Sequence, residues 1–186
     1  MTDDTTINFA PLLAAAEDEV ITESFVRDVA LPSGGTLALI TLDNGRDHTR
    51  PNTLGPRTLE ALGKVLDEQS ARAAAGEIRA VGITGKPFIF AAGADLSKVS
   101  TLATRENARL MAQYGHHILG KFGTLGVPSF AFVNGLALGG ATEIALNCNY
   151  RTLDSSAAAL AFPEVFLGII PGWGGATIVP NLKKKK

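Results

Sequence analysis

The sequence predicts a single α/β domain with a largely parallel core sheet. Short apolar segments typical of strands alternate with longer segments whose apolar residues have helical spacing. The repeated order of strand and helix is the connection that joins parallel strands, and no internal repeat or linker interrupts it. We expect an N-terminal extension over residues 1–24, the domain over residues 25–182 and a lysine tail over residues 183–186.

The predicted strands are short and partly β-branched. Residues 36–42 (TLALITL) alternate in the manner of a half-buried strand. A loop rich in turn-forming residues follows over residues 44–52. The other predicted strands cover residues 78–84, 88–90, 129–133 and 158–162.

Two long helices are predicted from apolar spacing and from their end signals. Pro56 suits the first turn of a helix that ends at Gly76. Thr104 can cap a second helix. The apolar positions at three- and four-residue spacing are Leu59, Leu62, Val65 and Leu66 in the first helix, and Ala108, Met111, Ile118, Leu119 and Phe122 in the second. Shorter helices are predicted within residues 11–20, from Gly139-Gly140 and after residues 171–175.

Composition excludes several classes of protein. Hydrophobic residues make up 46% and charged residues 19% of the 186 residues, which is typical of a globular domain. Four of the 17 basic residues form the C-terminal run, so the body is acidic and unsuited to nucleic acid. No apolar run is long enough to cross a bilayer. Cys148 is the single cysteine, which favours a reducing compartment, and we expect a cytoplasmic protein.

Three glycine-containing segments each follow a predicted strand and precede a helix. They are residues 91–95 (AAGAD), 138–143 (LGGATE) and 171–175 (PGWGG). Ligands of α/β sheets bind beyond the carboxyl ends of the strands, and helix N-termini favour negative charge. Two N–H groups from such turns, aimed at one thioester oxygen, would form an oxyanion hole. The alternative is that these glycines only make tight turns and close packing.

Several other kinds of site lack their sequence motifs. The chain contains neither the dinucleotide fingerprint nor the phosphate loop, and it has no G-x-S-x-G nucleophile motif. His116 and His117 are adjacent and point to different sides of a helix, while His48 stands alone. We expect all three histidines at the surface, and we expect no metal site.

Two glutamates combine a glycine turn with apolar surroundings. Glu143 lies one turn into the helix that begins at Gly139-Gly140, and Glu164 follows a strand beside the apolar residues 165–167. Desolvation disfavours a charged carboxyl group, and two carboxyl groups in unequal environments can act as acid and base. The alternative for each is an ordinary capping or surface glutamate.

Residues 90–95 (FAAGAD), 133–143 (VNGLALGGATE) and 162–175 (FPEVFLGIIPGWGG) resemble the enoyl-CoA hydratase/isomerase (crotonase) family. The resemblance runs from about Thr36 to Val179. The opening is similar to the hydratase module of bacterial fatty-acid-oxidation proteins. The resemblance implies a crotonase-like spiral of ββα units and an acyl-CoA thioester as substrate, with no cofactor besides the coenzyme A of the substrate itself.

The family's site residues fall on identifiable positions of this chain. The resemblance implies that the N–H groups of Ala94 and Gly140 form the oxyanion hole and that Glu143 and Glu164 are the acid–base pair. It also implies that the N–H of Gly172 helps to place the catalytic water. Contacts with the adenine and pantetheine groups are implied at Thr53, Ala92, Asp95 and Leu96.

The sequence departs from the family at Asn149 and near the C-terminus. The family commonly has Cys-Asp where this chain has Cys148-Asn149, which puts a buried ionic contact in doubt. In the family, C-terminal helices cover the acyl pocket and build a trimer. We expect these trimerisation helices to be missing here, and we expect a homotrimer or a larger fatty-acid-oxidation complex of a full-length protein only.

The expected reaction is hydration of a trans-2-enoyl-CoA to a 3-hydroxyacyl-CoA in fatty acid β-oxidation. Two alternatives stay open. One is a Δ3,Δ2-enoyl-CoA isomerase, in which a single glutamate moves a proton and water is excluded. The other is a fragment that binds acyl-CoA without catalysis.

Overall fold

Two parallel-stranded sheets form the framework of the computed structural model, which describes residues 7–94 and 104–182. The larger sheet has the order β1 (Glu23–Ala30), β2 (Thr36–Asp43), β3 (Ala80–Gly85), β5 (Ser129–Val133) and β7 (Tyr150–Leu153). Only β1 runs antiparallel to its neighbour. The smaller sheet contains β4 (Phe88–Ala91), β6 (Gly135–Leu138) and β8 (Leu160–Ala161), all parallel.

One short helix precedes the strands, and one helix follows each successive pair of strands. They are α1 (Ala10–Ala14), α2 (Pro56–Ala74), α3 (Arg105–Gly120), α4 (Gly140–Asn147) and α5 (Gly175–Leu182). Successive strands β3 and β4 enter different sheets before α3, and the pairs β5–β6 and β7–β8 do the same before α4 and α5. This is a spiral of ββα units, so the predicted fold class is confirmed.

The core lies between the sheets and the helices. The leucines of α2 at positions 59, 62 and 66 are fully buried, as are Ile40 and Leu42 of β2. Each such leucine contributes about 1.5–3 kcal/mol by leaving water. The predicted spacing of α2 therefore gives the face that holds this helix on the larger sheet.

The N-terminal segment packs onto this core. Leu12 of α1 is fully buried. The Glu19 carboxylate accepts hydrogen bonds from the backbone N–H groups of Arg57 and Thr58, 2.7 and 2.9 Å away, and so caps α2. The boundary predicted at residue 24 falls inside β1, and its status as a domain limit stays a prediction.

Three strands were not predicted from sequence. β1 carries mostly exposed residues, β6 contains only four residues beginning with a glycine, and β7 is a fully exposed edge strand. The helix predicted over residues 11–20 covers only Ala10–Ala14, and the strand predicted over residues 158–162 covers only Leu160–Ala161. No helix in residues 7–94 and 104–182 is long and apolar enough to cross a membrane.

Asn149, at the position where the buried ionic contact was in doubt, forms neutral hydrogen bonds. Its side-chain oxygen accepts from the backbone N–H and the hydroxyl of Ser129 at 2.9 and 3.0 Å. The Asn149 N–H in turn donates to the Ser129 hydroxyl oxygen at 2.9 Å. These bonds join the end of α4 to the beginning of β5 without a charge.

Candidate active site

The turn between β6 and α4 contains two buried glycines, Gly139 and Gly140. Gly139 has φ = +54°, and its N–H donates to the carbonyl of Ala161 at 2.9 Å. A Cβ at this position would lie only 2.9 Å from Oε1 of Glu164. Gly140 then begins α4, where the first N–H groups of a helix have no acceptor within the helix.

The segment before residue 95 runs beside this turn. The N–H of Ala92 donates to the carbonyl of Asn52 at 2.8 Å, and Ala94 forms a bridge with Leu54. Gly93 has φ = +82°, and a Cβ there would lie 3.1 Å from the amide nitrogen of Gly140. Ala94 and Gly140, the two predicted oxyanion donors, therefore lie on neighbouring segments.

Glu143 is buried in the first turn of α4, with 2% of its surface exposed. Its Oε1 accepts hydrogen bonds from the backbone N–H groups of Trp173 and Gly175, at 2.7 and 2.8 Å. Burial raises the pKa of Glu143 above its ordinary value of 4.5, and the nearby Glu164 carboxylate raises it further. The two backbone N–H groups and His116 oppose this shift because they favour the charged form.

Glu164 lies in the short 3₁₀ turn Pro163–Leu167, which follows β8. It is 8% exposed, and its Oε2 is buried without a hydrogen-bond partner among the described residues. Leaving such an atom unpaired is costly, and a catalytic role is one explanation for a buried oxygen of this kind. Its Oε1 lies over Gly139, so the second glutamate faces the same glycine turn that carries the first.

Both glutamates line one cavity of about 350 Å³. Its walls are largely apolar, which suits an acyl group and strengthens electrostatic interactions inside. The lining residues are Ala92, Ala94, Ala108, Met111, Ala112, Gly139, Gly140, Glu143, Pro163, Glu164, Leu167, Ile169, Ile170, Gly172 and Trp173.

Six of the nine predicted site residues thus meet at this cavity: Ala92, Ala94, Gly140, Glu143, Glu164 and Gly172. Thr53 is absent from the described lining, and its carbonyl accepts a hydrogen bond from the Thr22 hydroxyl at 2.8 Å. The predicted residues Asp95 and Leu96 lie outside the described part of the chain. The roles of all nine stay predictions.

Trp173 is a site residue that the sequence reasoning missed. It is 4% exposed, and its indole N–H donates to the carbonyl of Met111 at 3.2 Å. Its ring covers both Gly115 and Gly140, where an added Cβ would collide with it. The signal was available, because this is the single tryptophan of the chain and it stands within the PGWGG turn.

The histidines lie away from the cavity lining. His48, His116 and His117 are all exposed, as expected. Within residues 7–94 and 104–182, no three His, Cys, Asp or Glu side chains come close enough together to hold a metal ion.

Known proteins with the same sequence pattern and fold were found by comparison. The sequence profile described as enoyl-CoA hydratase/isomerase matches residues 33–183. The fatty acid oxidation complex subunit alpha of Shewanella amazonensis is 37% identical over 147 residues, which is 78% of this chain and 20% of that protein. The protein of that name from Shewanella loihica is also 37% identical, over 149 residues with the same coverage.

Solved structures of other proteins are similar to this chain in fold. An enoyl-CoA hydratase from Bacillus anthracis matches with a TM-score of 0.72 and 31% identity, over 86% of this chain and 58% of the other. DspI from Pseudomonas aeruginosa matches with a TM-score of 0.72 and 28% identity, over 85% of this chain and 59% of the other. The chain therefore spans about a fifth of those curated relatives and under two thirds of these solved structures. With a family profile that covers most of its length, the chain belongs to the enoyl-CoA hydratase/isomerase family.

Proposed function

We propose that this chain carries the acyl-CoA site of an enoyl-CoA hydratase of fatty acid β-oxidation, which converts a trans-2-enoyl-CoA to a 3-hydroxyacyl-CoA. Its membership of the enoyl-CoA hydratase/isomerase family and its relatives named fatty acid oxidation complex subunit alpha support this role. The observation that carries the proposal is the pair of buried glutamates on one apolar cavity beside the N-terminus of α4.

In the proposed reaction, the N–H groups of Ala94 and Gly140 hold the thioester oxygen. Water bonds to C3 as the C2–C3 π bond breaks, and the electron pair moves into an enolate whose oxygen is stabilised by these N–H groups. The water gives one proton to a carboxylate, and C2 receives one proton from a carboxyl group, so no proton is gained or lost overall. Glu143 and Glu164 share these two transfers, and the Gly172 N–H helps to place the water.

The two glutamates differ in the hydrogen bonds that their carboxyl oxygens accept. Oε1 of Glu143 is held by two backbone N–H groups, which leaves Oε2 as the oxygen for the water or the proton. Oε2 of Glu164 has no described partner and is therefore available in the same way. We propose contacts with the coenzyme A portion at Thr53 and Ala92, and also at Asp95 and Leu96, which lie outside the described part of the chain.

Double-bond migration by a Δ3,Δ2-enoyl-CoA isomerase is the second candidate. The unpaired Oε2 of Glu164 favours it, because a single carboxylate with a free oxygen suffices to remove a proton at C2 and return one at C4. The raised pKa of Glu143 does not distinguish the two reactions, since both keep this carboxyl group in the same cavity.

The proposal includes the setting of the enzyme. We propose that the complete protein works in the cytosol, in keeping with a single thiol, and assembles as a homotrimer or as part of a larger fatty-acid-oxidation complex. The relatives named as subunits of such a complex support the assembly.

The test compares crotonyl-CoA hydration by the wild-type chain with that by Glu143→Gln and Glu164→Gln. Each variant should lose about a hundred- to ten-thousandfold in kcat, because a positioned acid or base contributes that much. Titration with butyryl-CoA, which has no double bond to hydrate, should show that binding is kept. Glu106→Gln, whose side chain is 63% exposed on α3, is the matched control.

Two results would contradict the proposal. Full activity in either site variant removes that glutamate from the mechanism. A wild-type chain that binds butyryl-CoA without hydrating crotonyl-CoA favours the non-catalytic acyl-CoA-binding alternative. If Glu143→Gln loses hydration and keeps double-bond migration, the isomerase gains instead.

A further inference from the structure

Lys86 is a buried cation that the proposed reaction does not use. It follows β3 directly and is only 4% exposed. Its ammonium group donates to the side-chain oxygen of Asn44 and to the carbonyls of Arg46 and Arg50, the last two at 2.8 and 2.7 Å. Its three N–H donors are thus all used, on acceptors that are all neutral.

Such a lysine is unusual because buried charges are normally paired with opposite charges. Among the residues that the structure describes, Lys86 forms no ion pair. Its charge therefore does not neutralise a carboxylate. Its ammonium group instead binds the loop over residues 44–50 to the carboxyl end of β3 through three hydrogen bonds.

Hydrogen bonds of Asn44 and Asn52 connect this loop to the segment that carries Ala94. The Asn44 N–H donates to the side-chain oxygen of Asn52 at 3.1 Å. Asn52 is fully buried, and its side-chain amide donates to the carbonyl of Phe90 at 3.2 Å. Its own carbonyl accepts from the N–H of Ala92 at 2.8 Å. Two residues further on is the first proposed oxyanion donor.

A second path leads from Lys86 to Gly140. The backbone carbonyl of Lys86 accepts from the side-chain amide of Asn134 at 2.8 Å, and the Asn134 side-chain oxygen accepts from the N–H of Gly85 at 3.0 Å. Asn134 directly precedes β6, and β6 ends immediately before Gly139-Gly140. The start of β6 is therefore held next to the backbone of Gly85 and Lys86 by the hydrogen bonds of Asn134.

The backbone next to Lys86 confirms that this turn is tightly held. Phe88 has φ = +68°, a left-handed conformation that is rare for a residue with a large side chain. Residues keep such a conformation only where their surroundings enforce it. The side chain of Phe88 is 73% exposed, so burial of this side chain does not account for the conformation.

We infer that Lys86 is a positioning residue whose ammonium group aligns the first proposed oxyanion donor, Ala94, through Asn44 and Asn52. The link to Gly140 through Asn134 uses the backbone carbonyl of Lys86 and does not depend on its side chain. The inference rests on the proposed function, since it concerns the N–H groups that would hold the thioester oxygen. Displacing such donors by about 1 Å costs on the order of a hundredfold in rate. The inference therefore predicts an effect on catalysis from a side chain that does not touch the substrate.

The experiment replaces Lys86 with methionine, which keeps the aliphatic chain and removes the three donors. Lys64→Met is the matched control, because Lys64 is 73% exposed and its ion pair among the described residues is with Glu60 in the preceding turn of α2. Asn44→Ala is a second variant, which leaves the ammonium its two carbonyl acceptors and also removes the side-chain hydrogen bonds of Asn44 to the carbonyl of Pro51 and the N–H of Arg46. Circular dichroism and thermal unfolding identify the folded variants.

The decisive readout is the infrared C=O stretch of butyryl-CoA labelled with ¹³C at the thioester carbon, measured while bound. N–H groups aimed at this oxygen lower the frequency, and a merely structural role for Lys86 would leave that lowering unchanged in a folded variant. Lys86→Met should lose part of the shift, because Gly140 keeps its link through the backbone carbonyl of residue 86, and about ten- to hundredfold in kcat with a smaller change in KM. Asn44→Ala should also lose part of the shift, and Lys64→Met should match the wild type.

The two proposals fail in different ways. If the wild-type chain binds no butyryl-CoA or shows no shift, the proposed oxyanion hole is wrong and the inference falls with it. If the wild type shows the shift and folded Lys86→Met keeps it in full, the site stands and the positioning role of Lys86 is overturned. Should Lys86→Met not fold, an unchanged shift in Asn44→Ala overturns it equally.

Discussion

At the scale of a single residue, two opposing effects act on the pKa of Glu143. Burial and the neighbouring Glu164 raise its pKa, whereas the N–H groups of Trp173 and Gly175 stabilise its charged form. The net direction is upward from 4.5. A carboxyl group tuned towards neutral pH is better suited to exchange protons than one at its ordinary value.

This shift predicts how stability depends on pH. Between 4.5 and the raised folded pKa, the unfolded chain has released the Glu143 proton while the folded protein keeps it. The free energy of unfolding contributed by this group therefore falls as pH rises through that window. Glu143→Gln retains an oxygen for the Trp173 and Gly175 N–H groups and does not titrate, so its stability relative to wild type should increase over the same window.

Urea unfolding at several pH values checks this prediction, with Glu106→Gln as an exposed control. The stability difference between Glu143→Gln and wild type should grow with pH and then level off above the folded pKa. A difference that shrinks as pH rises would show that the backbone N–H groups outweigh burial, so that the pKa of Glu143 is lowered.

At the scale of elements, Trp173 joins α3, α4 and the turn before α5. Its ring lies against Gly115 of α3 and Gly140 of α4, and its backbone N–H donates to Glu143. The side-chain amide of Asn147 donates to its carbonyl at 3.2 Å. Movement of this one residue would therefore shift a hydrogen bond that holds a proposed catalytic carboxylate.

Two glycines of α3 test this arrangement. Gly115→Ala places a methyl group against the indole of Trp173 and should destabilise the fold by about 1–3 kcal/mol, as overpacking does. Gly120→Ala meets no atom within 4 Å and should be neutral or stabilise by up to about 1 kcal/mol. Tryptophan fluorescence should change in Gly115→Ala alone. Equal stability in the two variants would mean that Trp173 yields at little cost.

The elements differ in how well the sequence predicted them. α2 and α3 carry long runs of helical spacing with clear start signals, Pro56 and Thr104, and both were predicted correctly. β1 and β7 are sheet edges whose exposed residues give no alternation to detect. β6 has only four residues, too few for a recognisable alternation, and it begins at Gly135, where any side chain would collide with the backbone of Phe88.

At the scale of the whole molecule, the spiral explains why distant segments form one site. Each of the last three ββα units adds one strand to each sheet, so the turns after β4, β6 and β8 lie side by side although they are far apart in sequence. The glycine motifs predicted which turns would meet. They could not predict the Lys86 network or the packing of Trp173, since these depend on pairings between loops.

The central claim is that this cavity adds water to an enoyl thioester, and oxygen labelling tests it most directly. The chain is incubated with crotonyl-CoA in H₂¹⁸O, and the product is analysed by mass spectrometry. We predict 3-hydroxybutyryl-CoA with one ¹⁸O atom at C3 from the wild type, and little or none from Glu143→Gln or Glu164→Gln. Unlabelled product, or a migrated double bond without added oxygen, would contradict the account.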